Sequence, residues 1–233
     1  MRVTLVHGFT QTARSWDPVS ALLRDRFEVV TPEVPGGLDF AAAAAALGET
    51  GGAGTYVGYS MGGRLCLRLA LDRPDLVTTL VLVGASPGIA DPAQRAARRE
   101  ADERLAAEIE RDGVDAFLER WLAQPLFATL PRDAAGLDDR RTHTAGALAE
   151  TLRRLGTGVM EPLWPRLGEL AMPVLLVAGE LDPKFAGLAA EMAAAIGPHA
   201  RVALVPGAGH AVPLEAPDRL AALLTEHLGG LDA

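Results

Sequence analysis

Six short apolar runs punctuate the chain with little polar alternation: RVTLV at 2–6, FEVVTPEV at 27–34, TYVGY at 55–59, TTLVLVG at 78–84, PVLLVAG at 173–179 and RVALVPG at 201–207. Runs of this length and continuity predict strands covered on both faces. Helix-forming stretches separate them, the alanine run 41–46 among them, so parallel strands joined by right-handed crossovers are expected. The pattern predicts a doubly wound α/β core of about six strands with helices on both faces, whose ligands sit beyond the carboxyl ends of the strands. Between 86 and 173 the strand signal disappears, and Arg/Glu/Ala-rich helical segments are broken at Pro125, Pro131, Gly156, Pro162 and Pro165. Residues 1–86 and 173–233 are thus expected to form the core, with 87–172 inserted as a helical cap over its ligand edge.

Composition narrows this picture. A chain of 233 residues suits one large domain with an insertion. A formal charge of −8 disfavours nucleic acid or an anionic membrane as partner. The single Cys66 lies in an apolar helical run, where it forms no internal disulfide or cysteine-based metal site and reads as a small core residue. Met1 and Arg2 lead directly into the first apolar run, and no stretch reaches membrane-spanning length; a cytoplasmic protein without membrane insertion is expected.

The candidate chemistry lies at the ends of the predicted strands. Gly58-Tyr59-Ser60-Met61-Gly62 satisfies G-x-S-x-G between a strand and a helix, the context in which glycines let the chain turn sharply and expose a serine hydroxyl. The alternative is a serine that merely caps the helix. His7-Gly8-Phe9 follows the first strand, where the Phe9 N–H could join that of Met61 as an oxyanion hole. Asp182 follows the fifth strand, with Glu180 as a competitor and helix capping as its plain alternative, and His210 follows the sixth. The order Ser60, Asp182, His210 is that of an α/β-hydrolase triad. His143, His199 and His227 lack such settings.

Beyond these motifs, the sequence closely resembles the 2-succinyl-6-hydroxy-2,4-cyclohexadiene-1-carboxylate synthase family of menaquinone biosynthesis. The resemblance is carried by LVHGFTQTARSW (5–16), GYSMGGR (58–64), GASPGI (84–89), RAARREAD (95–102), FLERWLAQPLFATL (117–130), LRRLGTGVMEPLW (152–164), GELDPKF (179–185) and GAGHAVPLEAP (207–217). It implies an α/β-hydrolase fold and a lyase that eliminates pyruvate from a small substrate with several carboxylates. It implies no cofactor, metal or covalent intermediate. Arg64, one turn beyond Ser60, would pair a substrate carboxylate; by the same resemblance Arg98 and Arg141 would reach others, although Arg140 adjoins Arg141. Tyr59, Trp121 and His7 would contribute to the pocket, whereas Lys184 reads as a solvated loop residue. Most charges of the cap helix, five arginines and seven acids over 91–112, must pair on its surface.

Two departures stand out. The chain reads PEVPGGLDF at 32–40 where the superfamily commonly has a PGHG turn, and it begins almost at the HGF strand, which leaves no place for leading antiparallel strands. The rival readings are a serine hydrolase of a small carboxylated ester, lactone or C–C substrate, and a non-catalytic ligand-binding protein on the same scaffold. Oligomeric state is not legible.

Overall fold

The computed structural model describes residues 1–230. Six strands, β1 (Arg2–Val6), β2 (Glu28–Val30), β3 (Gly54–Tyr59), β4 (Val77–Val83), β5 (Val174–Gly179) and β6 (Ala200–Val205), form one sheet. Their order is β2-β1-β3-β4-β5-β6 and every neighbouring pair is parallel. β3 and β5 are buried along their whole length, as continuous apolar runs between two helical layers require. β2 stops at Val30, short of the run that ends at Val34: Pro32 has no N–H for a ladder.

One layer comprises α2 (Phe40–Gly51), α3 (Met61–Asp72) and α8 (Pro183–Ile196), which bury Phe40, Leu47, Leu65, Leu69 and Met192 against the sheet. The other comprises α1 (Asp17–Leu23) and α10 (Pro217–Gly229), where Val19, Leu23, Leu220 and Leu224 meet Val57 and Val81. Cys66 is buried in the first core, and burial pushes its thiol pKa far up, which leaves it unreactive.

Between β4 and β5 run α4 (Pro92–Asp112), α5 (Val114–Leu122), α6 (Leu137–Arg140) and α7 (Ala145–Leu155). Asp91 starts α4 by accepting from the Gln94 N–H at 2.7 Å, with Pro92 at the first helical position. Gly113, at φ 82°, ends it. This insertion has a core of its own, built from Ala106, Ile109, Phe117, Leu118, Leu148 and Leu152. Arg153 on α7 grips Glu103 and Glu110 of α4 at 2.9 and 2.6 Å. A short α9 (Val212–Glu215) precedes α10.

The strand order explains where a site forms. From β1 the chain crosses to one side of the sheet, and from β3 to the other, so the loops after β1 and β3 part and leave a crevice between them. Those two loops carry His7-Gly8-Phe9 and the corner at Ser60.

Candidate active site

Ser60 has φ 52° and ψ −108°; among the described residues only Thr10 shares a positive φ without being glycine. That conformation costs an L-residue about 1–3 kcal/mol and needs its surroundings to hold it. The Ser60 N–H donates to the Val83 carbonyl at 2.9 Å, and the Ser60 carbonyl accepts from Arg64 N–H at 3.1 Å. Two glycines permit the corner: a Cβ on Gly58 would lie 2.5 Å from the Gly62 carbonyl oxygen, and one on Gly62 would lie 2.5 Å from that of His7. The start of α3 is thereby pressed against the end of β1.

Asp182 and His210 meet across the ends of β5 and β6. The His210 Nδ1–H donates to Asp182 Oδ2 at 2.9 Å, both side chains being buried. With Nδ1 donating, Nε2 is left as an acceptor facing the Ser60 hydroxyl at 3.4 Å. The second Asp182 oxygen accepts from the Phe185 N–H at 3.2 Å and starts α8, so capping and orientation of His210 coexist in one carboxylate. Glu180 instead accepts from the Gly207 N–H at 3.0 Å. Phe185 lies tilted against the imidazole with ring centres 4.4 Å apart, and Tyr59 lies at 5.5 Å.

Sequence reasoning missed Glu215. Its two carboxylate oxygens accept from the Gly209 and Ala211 N–H groups at 2.7 and 2.8 Å, gripping the backbone on either side of His210. The signal was a carboxylate five residues after the histidine in GHAVPLE.

The turn after β1 is fastened as closely. Gly8 N–H donates to Gln11 Oε1 at 2.9 Å. The Val34 N–H lies 3.1 Å from His7 Nε2 and the Gly8 carbonyl 2.9 Å from Nδ1, the pairing of an Nδ1–H tautomer. His7 is therefore buried behind the turn, with Glu33 also beside it at 3.2 Å, and does not line the cavity. Val6 pairs with Gly58, which brings Phe9 and Met61 to the same cavity wall.

That cavity, about 460 Å³, lies between the sheet and the insertion, with Ser60 and His210 in its wall. Tyr59, Trp121, Arg64, Arg98 and Lys184 line it too, Lys184 from an exposed position at the start of α8. Arg64 is 8% exposed. It donates to the Leu155 carbonyl at 2.9 Å, contacts Met160 Sδ at 3.7 Å and lies 5.7 Å from the Phe40 ring centre. Burial, helped by the charge of Arg98 and opposed by Asp102, pushes its pKa down to about 10. Arg98 donates through Nε to Asp102 Oδ1 at 2.8 Å, and the other oxygen of this buried carboxylate has no protein partner. Trp121 stands edge-on to Phe9 at 5.3 Å.

Arg141 departs from its expected place. It is exposed on the insertion surface, paired with Asp115 at 2.8 Å and Asp138 at 3.2 Å, and it is absent from the wall of the cavity that holds Ser60. Arg140 takes that position, 2% exposed, with hydrogen bonds to the Ala135 carbonyl at 2.7 Å and to Thr10 Oγ1. On the one-turn helix α6 a step of one residue turns a side chain by about 100°, from solvent into the cavity. Asp139 reaches the same loop: Thr12 donates to it through its hydroxyl at 2.6 Å and its N–H at 3.3 Å, and His143 Nε2 donates to the Gln11 carbonyl at 3.1 Å.

Among the described residues no cluster of three or more His, Cys, Asp or Glu is placed to hold a metal ion, and no helix is long and apolar enough to cross a membrane.

A serine on a strained strand-to-helix corner, with histidine and aspartate arriving from later strands, defines a class. Residues 5–223 match the Alpha/beta hydrolase family, and the chain belongs to it. Within that family it is similar to the 2-succinyl-6-hydroxy-2,4-cyclohexadiene-1-carboxylate synthase of Enterobacter sp. (strain 638), 30% identical over 244 residues that cover 97% of this chain and 91% of that protein. A Bacillus subtilis (strain 168) protein that bears the same name provisionally is 38% identical over 178 residues; the match covers 74% of this chain and spans 64% of that relative's length. The solved structure of MenH from S. aureus has a TM-score of 0.91 at 29% identity, covering 100% of this chain and 95% of that one.

Proposed function

We propose that this chain is a lyase that eliminates pyruvate from 2-succinyl-5-enolpyruvyl-6-hydroxy-3-cyclohexene-1-carboxylate, giving 2-succinyl-6-hydroxy-2,4-cyclohexadiene-1-carboxylate in menaquinone biosynthesis. The observation that carries the reading is one cavity that holds both the Ser60, His210 and Asp182 relay and Arg64, a buried guanidinium hydrogen-bonded to a carbonyl and a thioether rather than to a carboxylate. A desolvated cation hydrogen-bonded to no carboxylate, with Asp102 near but engaged by Arg98, suits an anion that arrives with the substrate. Arg98 and Arg140 in the same wall suit further carboxylates, and the names of the relatives state the product of this reaction. A cytoplasmic setting belongs to this proposal, as does a cap role for residues 87–172 over a core of 1–86 and 173–233.

In this mechanism His210 Nε2 draws the Ser60 hydroxyl proton, and the serine oxygen takes a proton from the ring. The C–H electron pair enters the ring's conjugated system while the C–O bond to the enolpyruvyl group breaks. Pyruvate leaves as its enolate and is protonated on carbon, which returns the proton taken from the ring. Negative charge that develops on the succinyl carbonyl oxygen meets the N–H groups of Phe9 and Met61, backed by the positive end of the α3 dipole. Asp182 holds the imidazole in the required tautomer.

The test is pyruvate release from enzymatically prepared substrate by wild type and Ser60→Ala, beside an enzyme-free control. Release well above the control, lost in the variant, supports the lyase; release equal to the control removes it. Because the same serine and histidine also suit nucleophilic attack on an ester, hydrolysis of generic esters at a higher efficiency than pyruvate release would favour the hydrolase reading.

A further inference from the structure

Gln11 is 3% exposed, and its amide has a defined orientation. Oε1 accepts from the Gly8 N–H at 2.9 Å; a backbone N–H can only donate, so turning the amide over would set donor against donor. The NH2 end, by contrast, is buried without a protein partner. All the hydrogen bonding of this side chain is thus invested in Gly8, the residue before Phe9. Gly8 itself is packed so tightly that an added Cβ would lie 2.8 Å from the Tyr59 ring and 3.2 Å from Gln11 Oε1. The peptide joining Gly8 to Phe9 carries the Phe9 N–H, and the Gly8 carbonyl on that same peptide accepts from His7 Nδ1–H at 2.9 Å. Gln11 and His7 therefore grip the two ends of Gly8, and together they set the plane of the Phe9 amide.

We propose that Gln11 is a positioning residue for the oxyanion hole: its side-chain carbonyl, by holding the Gly8 N–H, aims the Phe9 N–H at the charge that develops in the cavity. The inference rests on the oxyanion reading of Phe9 and Met61 given above, and is independent of which small substrate develops that charge. Gln11 is itself seated from outside the turn, since its backbone carbonyl accepts from His143 Nε2 at 3.1 Å. Gln11 also reaches the wall of the cavity, so a role through the Phe9 amide is told from direct ligand contact by its kinetics: it should alter kcat more than KM.

Two substitutions separate positioning from packing. Gln11→Met keeps length and volume and removes the acceptor; Gln11→Glu keeps the acceptor, exchanges the partnerless NH2 for an oxygen and adds a charge. Removing an oxyanion donor outright lowers kcat by roughly a hundredfold or more, so a misaimed one should cost about tenfold or more. For Gln11→Met the expected result is a kcat loss of that size with a smaller change in KM, together with faster hydrogen exchange of the Gly8 amide measured by NMR. Gln11→Glu should restore slow exchange of the Gly8 amide. The inference is overturned by Gln11→Met turning over at the wild-type rate, or by a Gln11→Met loss that falls on KM with kcat intact. Both pyruvate release and p-nitrophenyl ester hydrolysis are followed: wild type inactive only in the first loses the substrate reading, and the ester then reports on Gln11. Wild type inactive in both, or Gly8 exchange unaltered in Gln11→Met, overturns the positioning role.

Discussion

Arg64 carries two opposed costs at a single residue. Its guanidinium is desolvated and its pKa is pushed down to about 10, which means the fold disfavours the charge. At neutral pH both folded and unfolded chains hold the proton, so that cost is present in full; it is relieved only as pH rises from about 10 toward the ordinary arginine range. Arg64→Met, similar in length and apolar, gives up one hydrogen bond to the Leu155 carbonyl but also the burial penalty. We expect its Tm to stay within a few degrees of wild type, while kcat/KM falls by more than ~2 kcal/mol of transition-state stabilisation. Thermal melts and steady-state kinetics on the same preparation check both halves. A large loss of Tm would mean that Arg64 holds the fold rather than the substrate. The same scale shows what sequence could not convey. Arg64 was legible because four residues on a helix fix a direction relative to Ser60. The choice between Arg140 and Arg141 was not, because α6 is a single turn after Gly136 in the left-handed region, and its rotational phase comes only from packing.

Among the elements, the loop between β6 and α9 depends most on one side chain. Glu215 accepts from the backbone on both sides of His210, and glutamine can supply one such acceptor but turns an NH2 toward the other N–H. Glu215→Gln should therefore strand a partly buried donor at about 1–3 kcal/mol, lower Tm, and lower kcat by about tenfold as the imidazole loses its aim on Ser60. Kinetics of the two proteins, with Tm alongside, decide the matter: a lower Tm with kcat intact would restrict Glu215 to stability. Strands and the long helices were legible in the chain, since β3 and β5 are buried on both faces and α4 has Asp91 at its start and Gly113 at its end. Glu215 and Gln11 were not, because each serves backbone N–H groups whose proximity exists only after folding.

For the whole molecule, acid is the condition that exposes a weak point away from the cavity. The pKa of His227 on α10 lies below its ordinary value, first because of burial and then because of the charge of Arg201, and its Nε2 has no protein partner. A histidine that is harder to protonate when folded contributes stability above the unfolded-state pKa of about 6.5, and that contribution is lost as pH falls below it. Tm should fall between about pH 7.5 and pH 5.5, and fall less in His227→Leu; equal slopes in the two proteins would remove His227 from the acid response. The overall architecture was readable because the spacing of apolar runs and the long strandless middle admit few topologies. The β2-β1-β3 reversal that opens the crevice had to come from the fold.

The stitching of residues 10–12 to 139–143 has a mechanical corollary. Thr10, Gln11 and Thr12 are held by Arg140, His143 and Asp139 respectively, so the roof and the floor of the chamber are sewn together along one seam. Any hinge that widened the chamber on this side would pull the Phe9 turn out of shape. On the proposed oxyanion role of that turn, opening along this seam would disturb it, whereas α4 and α7, which line the chamber elsewhere, make no hydrogen bond to residues 10–12 among the described residues.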